Sequence, residues 1–112
     1  MWRYDAAGDR WQAMPPIPPR GTAGAVSICG AIHLFGGESQ AQHAVLADVL
    51  RFDPSREAWT PLAAMPTARN FARAVPFDGG VLVVGGSLQV DSSHASAGST
   101  VVERFDARCG NS

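Results

Sequence analysis

The chain has 112 residues, the length of one ordinary domain, and its 46% apolar content is enough for a packed core. Only 17% of the residues are charged and the formal net charge is −1, which leaves no electrostatic footprint for nucleic acid or for an anionic membrane. No apolar run approaches the roughly 18 residues needed to span a bilayer, and Met1-Trp2-Arg3-Tyr4-Asp5 lacks the pattern of a secretory leader; the compartment stays open, with the cytoplasm slightly favoured.

Glycine (12) and proline (8) punctuate the chain, and no long stretch has helical periodicity. Short apolar runs between turn signals predict strands. The chain opens inside a strand carrying Tyr4-Asp5, since Met1 aligns with Val49 and Val102, and Trp11 marks the next strand. Residues 22–29 form an apolar, small-residue run closed by Cys29-Gly30, and 31–35 a second strand ending at Gly36-Gly37. A polar loop over 38–45 leads to a third strand at 47–52. Asp53-Pro54-Ser55-Arg56 is a turn, because proline fixes φ and Asp bonds back to the backbone, and 57–62 is a fourth strand carrying Trp59. The pattern resumes with 71–77, a tight Asp78-Gly79-Gly80 hairpin, 81–84, a polar loop over 87–99 and a strand at 100–105.

The spacings recur. Trp11 follows Tyr4 by seven positions and precedes Pro18 by seven; Trp59 stands in the same relation to Phe52 and Pro66. Arg20 precedes Gly36-Gly37 by 16 positions, as Arg69 precedes Gly85-Gly86. Arg3, Arg51 and Arg104 each stand before an aromatic-Asp pair, the third being Phe105-Asp106. The period is 48 to 53 residues, and its variation falls after the double glycine. A period near 50 points to a β-propeller blade rather than a helical solenoid.

An Arg opening the first strand, a double glycine after the second, an aromatic-Asp pair and a spaced Trp together resemble the kelch repeat. The resemblance implies an all-β fragment of a kelch-type β-propeller with four-stranded antiparallel blades. On this reading residues 1–18 are strands three and four of a partial blade, 19–66 a complete blade, and 67–112 a blade without its fourth strand, since Ser112 stands where Trp is expected. A truncated piece of a longer chain, assembly with further copies, and collapse into a small sheet-on-sheet domain all remain open. Unpaired strand edges and uncovered faces favour self-association.

Physical reasons support the structural positions Tyr4, Trp11, Gly36, Gly37, Phe52, Trp59, Gly85, Gly86 and Phe105. The glycines permit positive φ and close backbone approach, and each aromatic buries a large area between adjacent sheets. Arg20 and Arg69 follow proline-containing turns, where a guanidinium can bond nearby carbonyls and pin the start of a first strand.

Function is expected in the polar loops. In kelch propellers the loops after the double glycines share a face with the turns leading into each first strand, here 18–22 and 66–71. The resemblance places Arg20, Glu38, Gln40, His43, Arg69, Asn70 and Asp91 on that face, for a protein partner or a small ligand. No catalytic residue, cofactor or metal is assigned. His33, His43 and His94 show no three-ligand spacing, the glycines lack a phosphate-cradle pattern, and there is no Gly-x-Ser-x-Gly elbow. A binding scaffold is the leading reading. The alternatives are part of a sugar-acting propeller enzyme resembling sialic-acid mutarotase and a truncated product without function of its own. A copper-dependent sugar oxidase is disfavoured, because the sole tyrosine, Tyr4, holds a repeat position. Cys29 and Cys109, distant in sequence and outside any Cys-x-x-Cys pair, are expected as reduced, partly buried thiols.

Overall fold

In the computed structural model, residues 1–90 and 98–107 are described. The strands among them form three antiparallel sheets in chain order, without crossovers. A leading hairpin joins β1 (Trp2–Asp5) to β2 (Arg10–Ala13). The middle sheet runs β3 (Gly24–Ile28), β4 (Ala31–Ser39), β5 (Ala44–Asp53) and β6 (Ala58–Leu62). The last sheet contains β7 (Arg73–Phe77), β8 (Gly80–Val84) and β9 (Val102–Phe105). The described residues are all-β, and the middle sheet has four antiparallel strands.

Local chemistry accounts for the hairpins. Asp53 accepts hydrogen bonds at Oδ1 from the Ser55 amide (3.0 Å) and hydroxyl (2.8 Å), and Glu57 takes a φ of 50° to enter β6. Asp5 accepts from the Ala7 amide (3.1 Å), and Asp9 has a φ of 49° before β2. The Asp of the aromatic-Asp pair therefore closes the turn between third and fourth strands, and the register beyond it follows. Phe52 lies opposite Trp59 and Tyr4 opposite Trp11, with ring centroids 5.0 and 5.1 Å apart.

The double glycine of the middle sheet lies inside a strand instead of ending one. Gly36 and Gly37 take φ of 64° and 109°, and the register shifts between Phe35 and Gly37. This bulge absorbs the irregularity and lets the β4–β5 ladder resume from Gly37 opposite Leu46 to Ser39 opposite Ala44. The expected 38–45 loop is accordingly a short turn over 40–43. A Cβ on Gly36 would stand 2.4 Å from the Arg69 carbonyl oxygen, so the chain leading into the last sheet crosses where no side chain fits. The Gly37 amide donates to that same oxygen at 2.9 Å.

The core lies between the middle and last sheets. Phe35, Val49, Met65, Ala72, Val81 and Val83 form it, with Val26, Ile28, Leu62, Ala74 and Phe105 packed around them. Covering each large apolar side chain contributes about 1.5–3 kcal/mol, and this seam is where most of that gain is concentrated. All eight residues of the leading hairpin strands are exposed. The hairpin is attached by buried Met14 and by the Trp59 indole, whose Nε1 donates to the Pro15 carbonyl at 2.9 Å.

A further expectation is corrected. Cys29, in the β3–β4 turn with a φ of 59°, is disulfide-bonded and is not a reduced thiol. Cys109 lies outside the described residues.

Candidate functional site

The candidate face is built where the turns into β3 and β7 meet the residues after each double glycine. Both turns pair with those residues through the backbone. Gly21 and Glu38 exchange amide-to-carbonyl bonds of 3.0 and 2.9 Å; Asn70 and Ser87 exchange bonds of 3.0 and 2.8 Å. The two repeats therefore present the same frame at this end.

Each frame is pinned by its arginine. Arg20 donates from Nη1 and Nη2 to Asp48 Oδ1 (2.8 Å) and Oδ2 (2.9 Å), and also to the carbonyls of Gly36 (3.3 Å) and Pro18 (3.2 Å). Arg69 donates from Nη1 to the carbonyls of Val83 (3.2 Å), Gly85 (3.1 Å) and Val101 (3.1 Å), and from Nη2 to Glu103 Oε1 (2.9 Å). Glu103 accepts at its other oxygen from Thr67 Oγ1 (2.7 Å). The Arg69 side chain is 0% exposed, whereas the Asp48 side chain that pairs with Arg20 is 43% exposed. Such charge-assisted, forked bonds hold a turn in one orientation. Both arginines are thereby positioning residues, with their guanidinium groups turned into the fold and away from any external ligand.

Asn70 is also fully buried. Its Nδ2 donates to Glu38 Oε1 at 2.6 Å and to the Gln89 carbonyl at 3.4 Å, and Ser87 Oγ donates to that carbonyl at 3.2 Å. The structure thus brings Glu38 and Asn70 together across the two sheets. Glu38 is half-buried, and no cation lies within ion-pair distance of it among the described residues. Gln40 and His43 stand exposed on the turn beside it, with His43 at a φ of 51° and its amide donating to the Gln40 carbonyl at 3.2 Å. The turn is further braced by the Gln42 amide donating to Ser39 Oγ at 3.2 Å. Asp91 lies outside the described residues.

Two residues of this frame escaped the sequence reading, Asp48 and Glu103, whereas Ser87 and Gln89 fall within the 87–99 loop. Asp48 aligns with Val101, and Glu103 with Leu50, so the two arginines draw carboxylates from non-equivalent positions and no repeated spacing marks them. Away from this face, His33 is buried beside Phe35 and Phe105, with ring centroids 6.5 and 5.9 Å away. Burial holds its pKa below the usual imidazole value and nearby Arg51 adds to this, against a backbone hydrogen bond at Ala31 that favours the proton. Among the described residues no group of three His, Cys, Asp or Glu side chains is placed to hold a metal ion.

The Arg20-pinned turn, Gly36-Gly37 and the Phe52–Trp59 register all fall within a segment that matches a described family. Residues 19–66 match the Kelch motif. The chain belongs to the kelch-repeat family. It is 35% identical over 80 residues to human Kelch-like protein 33, and 31% identical over 93 residues to human Kelch repeat and BTB domain-containing protein 8. These alignments cover 68% and 79% of the chain and 15% of each relative. With F-box/kelch-repeat protein SKIP30 of Arabidopsis thaliana it shares 30% identity over 100 residues, covering 77% of the chain and 28% of the relative. The chain therefore spans a small part of the length of the curated relatives it matches.

Proposed function

We propose that this kelch-repeat chain is a binding scaffold that presents the 40–43 turn and the adjoining Glu38 carboxylate to a protein partner. We read it as parts of three consecutive blades, 1–18, 19–66 and 67–112, with the partner contacting the end where the turns into the first strands gather. One observation carries this reading. At that end Arg20, Arg69 and Asn70 are bonded inside the frame, while Gln40 and His43 are exposed and Glu38 is half-exposed. A rigid frame with solvent-accessible polar side chains at its rim loses little side-chain and loop entropy when a partner binds. Kelch repeats in the relatives occur beside BTB and F-box regions named in those proteins. Placing this chain's repeats in such an assembly belongs to the proposal.

Selecting peptide-display clones against the 112-residue chain tests this reading. Clones that bind the native chain are re-assayed against Gln40→Ala/His43→Ala, Glu38→Gln and, at the opposite end of the sheets, Arg56→Ala. The expected result is that the first two variants weaken binding by about tenfold or more and the third leaves it unchanged. Binders that ignore residues 38–43 and respond to Arg56→Ala would overturn the assignment.

A further inference from the structure

Asp48, Glu103 and Glu38 are the carboxylates bonded into the frame at the turn face, and the first two have arginines. Asp48 accepts from Arg20 at 2.8 and 2.9 Å, and Glu103 from Arg69 at 2.9 Å. Glu38 has no such partner. Among the described residues its Oε1 accepts from Asn70 Nδ2 at 2.6 Å, its Oε2 accepts no hydrogen bond, and no cation lies within ion-pair distance.

The repeat shows that the frame does not require this charge. The step of 49 positions that carries Arg20 onto Arg69 carries Gly21 onto Asn70 and Glu38 onto Ser87. Both pairs build the frame through backbone amides and carbonyls, Gly21 with Glu38 and Asn70 with Ser87. A serine serves in the second repeat where the first has a carboxylate. Asn70 gives an independent observation. Its side chain is fully buried, and its Oδ1 has no hydrogen-bond partner. An orphaned buried carbonyl costs stability. Two acceptors, Glu38 Oε1 and the Gln89 carbonyl (3.4 Å), hold the amide with Nδ2 toward them. A buried donor therefore fixes a half-buried carboxylate beside exposed Gln40 and His43. Partial burial strips water from Glu38, and one neutral donor compensates its charge only in part. A metal ion would need further anionic ligands, and no group of three His, Cys, Asp or Glu supplies them among the described residues. An ammonium or guanidinium group needs only the one carboxylate.

We propose that Glu38, held by Asn70, reads charge at the turn face and takes a lysine or arginine side chain of the protein partner. The cation donates to Oε2 while Asn70 keeps Oε1. This rests on the turn-face reading and adds to it the chemical class of the partner, a basic segment.

The test uses the 112-residue chain, immobilised, and four mixtures of heptapeptides built from uncharged residues with lysine, arginine, methionine or glutamate fixed at the centre. Retained peptide is quantified by mass spectrometry at low salt. Lysine- and arginine-centred mixtures should be retained about fivefold or more over the other two. Glu38→Gln should abolish that preference, and Glu57→Gln, an exposed carboxylate in the β5–β6 turn, should preserve it. For one retained basic peptide made singly, replacing its central residue by methionine should weaken binding to the native chain about tenfold and to Glu38→Gln hardly at all. Glu38→Gln keeps a side-chain carbonyl for Asn70, so its urea midpoint should be unchanged. Glu38→Ser, which copies the second repeat, repeats the test if Glu38→Gln misfolds. Peptides weakened by Gln40→Ala/His43→Ala but indifferent to a central cation or to Glu38→Gln would overturn the charge assignment and leave the turn-face reading standing. Retention of no mixture, or retention that neither rim variant alters, would overturn both.

Discussion

The leading hairpin and the middle sheet carry the same local motif and have different fates. Tyr4 pairs with Trp11 as Phe52 pairs with Trp59, in the same register and at nearly the same ring separation. Yet Tyr4 is 47% exposed where Phe52 is 2% exposed, and Trp11 is 66% exposed where Trp59 is half-buried. An aromatic-Asp turn and a spaced tryptophan therefore set strand pairing without help, through the Asp5 and Asp53 turns. They do not set burial. Burial comes from the sheet alongside, which is why the core runs between the middle and last sheets and leaves the hairpin on the outside. This is the energetic pattern of repeat folds, in which each unit contributes modestly alone and gains from its interfaces.

The largest effect that sharpens this comparison comes from the core aromatic. Phe35→Ala removes a fully buried ring at the seam and is expected to cost about 3–5 kcal/mol in urea unfolding, while exposed Tyr4→Ala should cost under about 1 kcal/mol. Comparable losses at the two positions would break the account.

Next come the two pinning arginines. Arg69→Ala leaves Glu103 and three carbonyls without their buried donor and is expected to cost about 3–5 kcal/mol. Arg20→Ala, whose carboxylate partner Asp48 keeps contact with water, should cost about 1–3 kcal/mol in the same assay. The reverse ranking would show that solvent access does not govern these pairs.

The tryptophans differ by less. Trp59→Phe removes the hydrogen bond to Pro15 and should lower stability by about 1 kcal/mol, and Trp11→Phe should change it by less than about 0.5 kcal/mol. Quenching by acrylamide in single-tryptophan variants gives the corresponding structural readout, with residue 11 more accessible than residue 59.

The smallest expected effect is on pH dependence. His33 has a pKa below its ordinary value of 6.5 because it is buried, so on acidification the unfolded chain takes up this proton before the folded chain does. Stability should therefore fall as the pH drops below about 6.5, and His33→Phe should flatten that slope. Asp53, held below its ordinary 3.8 chiefly by the Ser55 hydroxyl, acts in the same direction but only at lower pH, so the interval between pH 6.5 and 4 isolates the histidine. An unchanged slope in His33→Phe would remove the imidazole from the explanation.

Much of this arrangement was readable from spacing. Turn chemistry at Asp5 and Asp53 is local, and the strand registers that follow from it were legible for the same reason. The positions of Arg20 and Arg69 pointed correctly to carbonyls nearby in space. Their carboxylate partners were hidden, because Asp48 and Glu103 sit at unlike positions of the repeat and are brought close only by sheet pairing. Gly36-Gly37 read as a strand end; the bulge that carries β4 through them depends on the Arg69 backbone crossing from another sheet. Cys29 illustrates the same limit, since its bond is a matter of tertiary proximity. At the candidate face, polarity alone made Arg69 and Asn70 look equivalent to Gln40 and His43, and only packing separates the buried frame from the exposed rim.

Amide hydrogen exchange of the 112-residue chain, resolved by strand, tests the central claim that neighbouring sheets supply the burial a shared local motif cannot. Slow exchange is predicted in β4, β5 and β8, where Phe35, Val49, Phe52, Val81 and Val83 lie, with exchange in β1 and β2 faster by orders of magnitude despite their identical pairing pattern. Equal protection of the leading hairpin and the middle sheet would contradict it.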